Sequence, residues 1–162
     1  MTFSKAVPLA IAASVFLSAC ATTYTGPLPN LETQGTEERK AEIERFELTE
    51  PSFWTAGYFF WQKQNAYTVG SFKPVIESVS SRASETVSNA QTYRIISTAV
   101  LALGAAAFLG SYLAEDGSST RTALQLGGTG AAVASAAFSL AATFSISSAA
   151  AKYNEDLKTR LR

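Results

Sequence analysis

The sequence predicts an all-α protein whose C-terminal part is a long helical hairpin. Two segments, residues 95–114 and 122–151, contain no charged side chain. Each is long enough for a helix that crosses a bilayer, which needs about 20 residues. The polar stretch between them, residues 115–121, is short, and short connections join antiparallel helices. Both open ends of the hairpin are therefore expected on the same side.

The chain begins with the pattern of a secretory signal. A mostly apolar run, residues 6–17, is too short to span a bilayer. Small residues then lead to the only cysteine of the chain, in the sequence Leu17-Ser18-Ala19-Cys20. This order predicts a signal peptide over residues 1–19 and a mature chain that starts at Cys20. The alternative is an ordinary secretory signal followed by an unrelated cysteine.

The sequence Leu17-Ser18-Ala19-Cys20 resembles the lipobox of bacterial lipoproteins. The resemblance implies diacylglycerol on the sulfur of Cys20, cleavage before this residue and a further acyl chain on the new amine. Two or three acyl chains hold a protein on a membrane essentially permanently. Ala21 follows the cysteine, where lipoproteins retained in the inner membrane have aspartate. The resemblance therefore favours the outer membrane, with most of the chain facing the periplasm.

Residues 20–36 are rich in Gly and Pro and poor in bulky side chains, which is typical of a flexible tether. Residues 37–92 are expected to form a periplasmic helical region. Its first helix is predicted over residues 36–49, with Thr36 as the N-cap and Pro51 as the residue that ends it. The many glutamates here form either an acidic docking surface or, as we favour, a solvated helix face.

Aromatic side chains are concentrated in residues 52–72. Trp54, Tyr58 and Trp61 have the i, i+4, i+7 spacing of one helix face. These aromatics either form the core of the helical region or lie in the headgroup layer of a membrane, where Trp and Tyr are common. We expect a mixed role, in which the core is favoured over the membrane interface.

A further amphipathic helix is predicted from Pro74, a residue that suits the first turn of a helix. Apolar or small residues then recur at helical spacing and form a narrow stripe: Val75, Val79, Ala83, Val87 and Ala90. No Gly or Pro follows before Gly104, so this helix is able to continue into the hairpin.

The hairpin, residues 93–152, is rich in small residues, and small residues at every fourth position let helix backbones approach closely. The residues predicted to pack the hairpin are Ala102, Ala106 and Gly110 on the first helix and Gly127, Ala131 and Ser135 on the second. Such a composition produces this spacing easily by chance. The spacing therefore indicates close helix packing rather than a defined dimer.

The hairpin is either inserted in a membrane or a soluble, alanine-rich pair of helices. A lipid on Cys20 would place both open ends of the hairpin in the periplasm. The basic tail, residues 153–162, would prefer the cytoplasm if the hairpin lay in the inner membrane, because positively charged loops stay inside. Insertion in the outer membrane has no such conflict, and we expect it.

The whole plan resembles that of glycine-zipper two-helix outer-membrane lipoproteins, which combine a lipobox, a periplasmic stretch and a small-residue hairpin with a short polar turn. The resemblance covers the signal and the C-terminal part of the chain. Ala and Ser stand here at most positions where those families repeat glycine, and no functional residue is carried over from them.

The composition argues against enzymatic activity. The chain has no His, and lipidation would consume the thiol of Cys20. We therefore predict no catalytic, cofactor-binding or metal-binding residue and no enzymatic activity. Thirteen Lys and Arg balance thirteen Asp and Glu, which argues against nucleic-acid binding. The expected partners are membrane lipids and either envelope proteins or further copies of the chain.

The function predicted from these features is a structural or assembly role in the cell envelope or in an envelope-spanning complex. One alternative is a membrane-permeabilising oligomer that forms pores. The other is a soluble periplasmic adaptor that binds a partner protein through the hairpin.

Overall fold

A computed structural model describes residues 21–49 and 58–162 and confirms the all-α class. The predictions made for the signal peptide, Cys20, Trp54 and Pro51 lie outside the described residues. The described elements, in chain order, are helix α1 (Thr36–Phe46), strands β1 (Phe59–Gln62) and β2 (Asn65–Thr68), and helices α2 (Val69–Val79), α3 (Ser81–Gly110) and α4 (Ser119–Arg160).

Helices α3 and α4 form the predicted hairpin. A 3-10 turn, Ser111–Leu113, ends α3, and Gly117 then reverses the chain with a φ of 77°, which favours glycine. The Ser118 hydroxyl oxygen accepts a hydrogen bond from the main-chain N–H of Arg121 and so caps the start of α4. Because α4 has 42 residues and α3 has 30, α4 is the longer arm of the hairpin.

The other elements pack around the open end of the hairpin and form what we call the base domain, residues 21–49, 58–92 and 141–162. The hydrophobic core among the described residues lies wholly in these ranges. Its largest side chains are Phe46, Leu48, Phe60, Phe72, Ile76, Ile146, Tyr153 and Leu157. The core therefore holds the hairpin at one end only.

The aromatic segment forms a small antiparallel β-hairpin, so the predicted helix face through Tyr58 and Trp61 is wrong. Strands β1 and β2 pair Phe60 with Tyr67, and successive side chains point to opposite faces of the strands. Phe60 is buried, and its ring centroid lies 5.6 Å from that of Phe72. The interpretation of these aromatics as core is confirmed for both phenylalanines.

Residues 22–31, expected to belong to a flexible tether, pack on the base domain. Thr22 forms a parallel bridge with Tyr67 of β2. The ring of Tyr24 lies edge-on to the rings of Tyr67 and Phe72, at centroid distances of 5.1 and 5.0 Å. Its main-chain N–H also donates to the Ser71 hydroxyl at 3.0 Å. Aromatic contacts thus fix a segment whose composition is typical of a linker.

The first predicted helix is present, with different ends. The N-cap of α1 is Gly35 rather than Thr36, and the helix ends at Phe46. Helix α2 begins at Val69, so Pro74 lies inside it and not in its first turn.

The predicted apolar stripe is buried along its whole length, from Val75 to Ala90. It is divided between two helices, because Ser80 is extended with a φ of −141°. The Ser80 hydroxyl accepts from the main-chain N–H of Ala83 at 3.0 Å and caps α3. No further break occurs before Gly110, as the lack of Gly and Pro predicted.

Residues 153–162 are not a free basic tail, because α4 continues to Arg160. Tyr153, Leu157 and Leu161 point into the core and are buried. The basic side chains lie outside, and Lys158 pairs with Glu47 at 2.5 Å. The last turns of α4 are therefore part of the base domain.

Candidate functional site

The candidate site is the part of the hairpin beyond the base domain, residues 95–140, which we call the projecting hairpin. Both helices are long and apolar enough to cross a membrane. Only 17% of the residues in the most apolar stretch of each helix are buried. A core helix of a soluble protein would be mostly buried, so these helices pack on each other and leave their outer faces uncovered.

The outer faces of the hairpin carry many exposed apolar side chains, which we call the belt. Apart from Leu28, all the exposed large apolar residues among those described lie between Tyr93 and Phe144. The belt consists of Tyr93, Ile95, Leu103, Leu109, Tyr112, Leu113, Leu126, Val133, Leu140 and Phe144. Monomeric soluble proteins rarely expose an apolar patch of this extent.

The belt has the length of a bilayer core. Nineteen residues from Ile95 to Leu113 rise by about 28 Å in an α-helix, and the hydrocarbon layer is about 30 Å thick. An aromatic pair lies at each end: Tyr93 stacks on Phe138 at 6.5 Å, and Tyr112 meets Phe108 edge-on at 5.8 Å. Tyr is common at both interfaces of a membrane.

Apart from Arg94, the charged residues of the hairpin lie beyond the two ends of the belt. In residues 86–114 of α3 and its turn, and in residues 122–151 of α4, the single charged residue is Arg94. The far end carries Glu115, Asp116 and Arg121, and the last two form an ion pair. Along the hairpin, the polar turn of residues 115–121 is therefore followed by the apolar belt and then by the charged base domain.

The inner faces of the two helices meet along small residues that recur every seventh position. On α3 and the 3-10 turn that follows it, the buried series is Ala83, Ala90, Ser97, Gly104 and Ser111, and on α4 it is Gly128, Ser135, Ala142 and Ala149. A step of seven residues turns a straight helix by only about 20° relative to its starting face. Each series therefore stays on one side of its helix and faces the other.

The helices approach most closely at two glycines. A Cβ atom on Gly104 would lie 2.5 Å from the Cβ of Ala131 and 3.1 Å from the carbonyl oxygen of Gly128. A Cβ atom on Gly128 would lie 2.8 Å from the carbonyl oxygen of Gly104 and 2.9 Å from the Cβ of Phe108. Both positions therefore require glycine for this spacing of the helices.

A cluster of hydroxyl groups joins the helices about two to three turns nearer the base. The Ser97 hydroxyl donates to the carbonyl oxygen of Ser135, and the Ser135 hydroxyl donates to that of Ser97, both at 2.9 Å. The Ser139 hydroxyl lies 2.7 Å from that of Ser97 and accepts from Nη1 of Arg94 at 3.3 Å. The hydroxyl groups of these three serines thus find hydrogen-bond partners inside the hairpin.

The structure places two of the six predicted packing residues at this interface. Ser135 is buried against α3 and Ala131 is half-buried beside Gly104. Ala102, Ala106 and Gly127 are exposed, and Gly110 is half-buried with no atom within 4 Å of a Cβ position. A step of four residues turns the helix by about 40°, so the predicted series leaves the interface.

Sequence reasoning missed Ser97, Gly104 and Gly128, the residues that make the closest contacts between the helices. The seven-residue recurrence of small side chains was the pattern that could have found them.

Polar contacts close the base of the hairpin. Arg82 Nη2 and the Ser80 hydroxyl each donate to the Asp156 carboxylate at 2.5 Å. The hydrogen bonds from Arg82 and then Ser80 hold the pKa of Asp156 below its usual value of 3.8. Lys152 Nζ donates to the Thr86 hydroxyl at 2.9 Å. These bonds fix the register of α4 against α3 at the open end.

The base domain also contains a buried tyrosine hydroxyl and a surface groove. Burial raises the pKa of Tyr153, whose hydroxyl has no hydrogen-bond partner among the described residues. A shallow surface groove lies beside Leu48 and Asn154. Within residues 21–49 and 58–162, no group of three His, Cys, Asp or Glu is arranged to hold a metal ion.

Comparison with known proteins gives no relative. No protein-family model, curated protein or solved structure matches the chain.

Proposed function

We propose that the protein is an outer-membrane lipoprotein with a structural or assembly role in the cell envelope. Its projecting hairpin crosses the bilayer, and its base domain lies in the periplasm. The observation that supports this most strongly is the exposed apolar belt, whose length of about 28 Å is close to the thickness of a hydrocarbon layer, about 30 Å.

Transfer of the belt from water into a bilayer would be energetically favourable. Moving one exposed Leu, Val, Ile or Phe side chain out of water stabilises the protein by about 1.5–3 kcal/mol. Leu103, Leu109 and Val133 are 72, 66 and 68% exposed, and most of the belt is similarly uncovered. The hydroxyls of Ser97 and Ser135 each donate to the main-chain carbonyl oxygen of the other residue, so insertion would not leave them unpartnered in hydrocarbon.

The orientation follows from the connectivity. Both open ends of the hairpin lie at the base domain, which also binds the chain from Thr22 onward. An acyl anchor on Cys20 would therefore attach to the same side of the membrane as the base domain. Two attachments, one covalent lipid and one hairpin, would fix the base domain at the membrane surface as a scaffold for envelope proteins.

Extraction of a lipid-free form tests insertion. The chain from Ala21 onward is exported behind a signal that an ordinary signal peptidase removes, and membranes are washed with alkaline carbonate. We expect the protein to remain in the membrane pellet. A matched variant carries Leu103→Glu, Leu109→Glu and Val133→Glu on the outer faces, where they leave the helix interface intact. This variant is expected in the supernatant.

The outcome separates the alternatives. If the lipid-free chain itself appears wholly in the supernatant, insertion is wrong and a soluble adaptor is the better proposal. Envelope proteins that co-purify with the lipidated chain, and are lost with the glutamate variant, would support the scaffold.

A pore-forming oligomer is the second candidate. Ala102, Ala106 and Gly127 face outward and leave room for the helices of another copy. Dye release from vesicles, together with a cross-linked oligomer that Ala106→Leu abolishes, would support the pore. A scaffold predicts no dye release.

A further inference from the structure

Arg94 occupies a singular place on the hairpin. It is the only charged residue between Glu85 and Glu115, and it directly precedes Ile95, the first residue of the uncharged segment. Its guanidinium carbon lies 5.7 Å from the ring centre of Tyr58. Its Nη1 atom donates to the Ser139 hydroxyl on α4. Arg94 therefore lies on the boundary between the projecting hairpin and the base domain.

This arginine has no carboxylate partner among the described residues. Arg82, on the same helix, pairs with Asp156, and Arg121, at the start of α4, pairs with Asp116. A guanidinium group offers five N–H donors. Arg94 uses one of them, to Ser139, in the part of the chain that the structure describes.

In an inserted hairpin, a lipid phosphate would be the counterion that Arg94 lacks within the protein. A hairpin inserted to the level of Tyr93 would hold this guanidinium at the depth of the lipid headgroups, because Tyr and Arg both favour that layer. The planar guanidinium matches the oxygens of a phosphate in a two-point contact. The ring of Tyr58 and the Ser139 hydroxyl hold it at the rim of the base domain.

We propose that Arg94 binds the phosphate of a membrane phospholipid at the periplasmic end of the hairpin and thereby sets the depth of insertion. This inference rests on the proposed insertion of the hairpin. The ligand is the phosphodiester of a bilayer lipid, and free inorganic phosphate is the competing source of the same chemistry.

Solid-state NMR tests the contact directly. The mature chain, with ¹³C at the arginine Cζ atoms, is placed in phosphatidylcholine vesicles in a phosphate-free buffer. The difference between spectra of the wild type and R94Q isolates the Cζ signal of Arg94, and the difference with R82Q isolates that of Arg82. We expect dipolar coupling to the lipid ³¹P to dephase the ¹³C signal of Arg94. We expect no dephasing of the signal of Arg82, whose guanidinium binds Asp156.

The lipid source is then tested with vesicles of galactosyl diacylglycerol, which contain no phosphate, and inorganic phosphate in the buffer. We expect the dephasing at Arg94 to disappear. Its persistence would show a free-anion site and overturn the lipid assignment.

Each sample is also washed with alkaline carbonate. Release of the wild-type chain would contradict the proposed insertion itself. A chain that stays in the pellet while Arg94 shows no dephasing in phosphatidylcholine would overturn this inference alone.

Discussion

Ser97 and Ser135 bind each other twice across the hairpin, each hydroxyl donating to the carbonyl oxygen of the other residue at 2.9 Å. The exchange is possible because both residues belong to the seven-residue series of small side chains that bring the two backbones together. It also fixes the register of the helices, since a shift by one residue would separate both donors from their acceptors. Packing and polar bonding therefore specify the same arrangement.

Removal of both hydroxyls should weaken the hairpin modestly. We expect S97A/S135A to lower the free energy of unfolding by about 1 kcal/mol, the usual strength of such bonds between helices in a membrane. The protein is held in mild-detergent micelles and titrated with a denaturing detergent. Circular dichroism monitors the unfolding and so measures the change. The control is Thr98→Ala, which removes an exposed hydroxyl that bonds within α3. An equal loss in the control would show that the contact between the helices contributes nothing.

The adjacent glycines of α4 offer a matched pair of substitutions. We expect Gly128→Ala to destabilise the hairpin by about 1–3 kcal/mol, because its Cβ would overlap the main chain of α3. Gly127→Ala meets no atom within 4 Å, and it should stabilise the helix by up to about 1 kcal/mol. The same detergent titration measures both. Equal effects of the two substitutions would show that the close approach of the helices is not as described.

The hairpin could be predicted from the sequence because its signal is simple. The absence of charge over residues 95–114 and 122–151, with a polar turn between, allows few other arrangements. The inner face was harder to predict, since Ala, Gly and Ser occur on every side of both helices. Only the seven-residue recurrence that includes Ser97 and Gly104 distinguishes the face that packs.

The base domain was harder to predict because tertiary contacts decide its local structure. Strands β1 and β2 join through a turn in which Lys63 has a φ of 55°, and the turn lacks the Asn-Gly or Asp-Gly pair that usually marks a two-residue hairpin. The aromatic spacing fitted a helix equally well. Pro74 lies within α2, although proline usually marks the start of a helix or its end.

Asn154 should be essential for attaching the segment after α1 to α4. Its side-chain oxygen accepts from the Leu48 N–H at 2.9 Å, and its amide donates to the Leu48 carbonyl oxygen at 2.8 Å. We expect Asn154→Leu to cost about 2–3 kcal/mol, because a buried N–H and C=O lose their partners. Hydrogen exchange at the Leu48 amide should accelerate accordingly. Asn89→Leu, at an exposed position of α3, is the control and should leave that amide protected.

The ion pair at the base of the hairpin should make stability depend on acid pH. Hydrogen bonds from Arg82 and Ser80 lower the pKa of Asp156 in the folded state below 3.8, so the charged carboxylate stabilises the fold. This contribution is fully present above the pKa of the unfolded chain and is lost as the pH falls through the lower pKa of the folded state. We therefore expect the stability of the wild type to fall between about pH 5 and pH 2 more steeply than that of Asp156→Asn. Thermal unfolding in micelles at a series of pH values measures the two slopes.

Glu85→Gln, at an exposed carboxylate of α3 without an ion pair among the described residues, should follow the wild-type curve. Parallel curves for the wild type and D156N would show that this carboxylate adds nothing to the acid sensitivity of the fold.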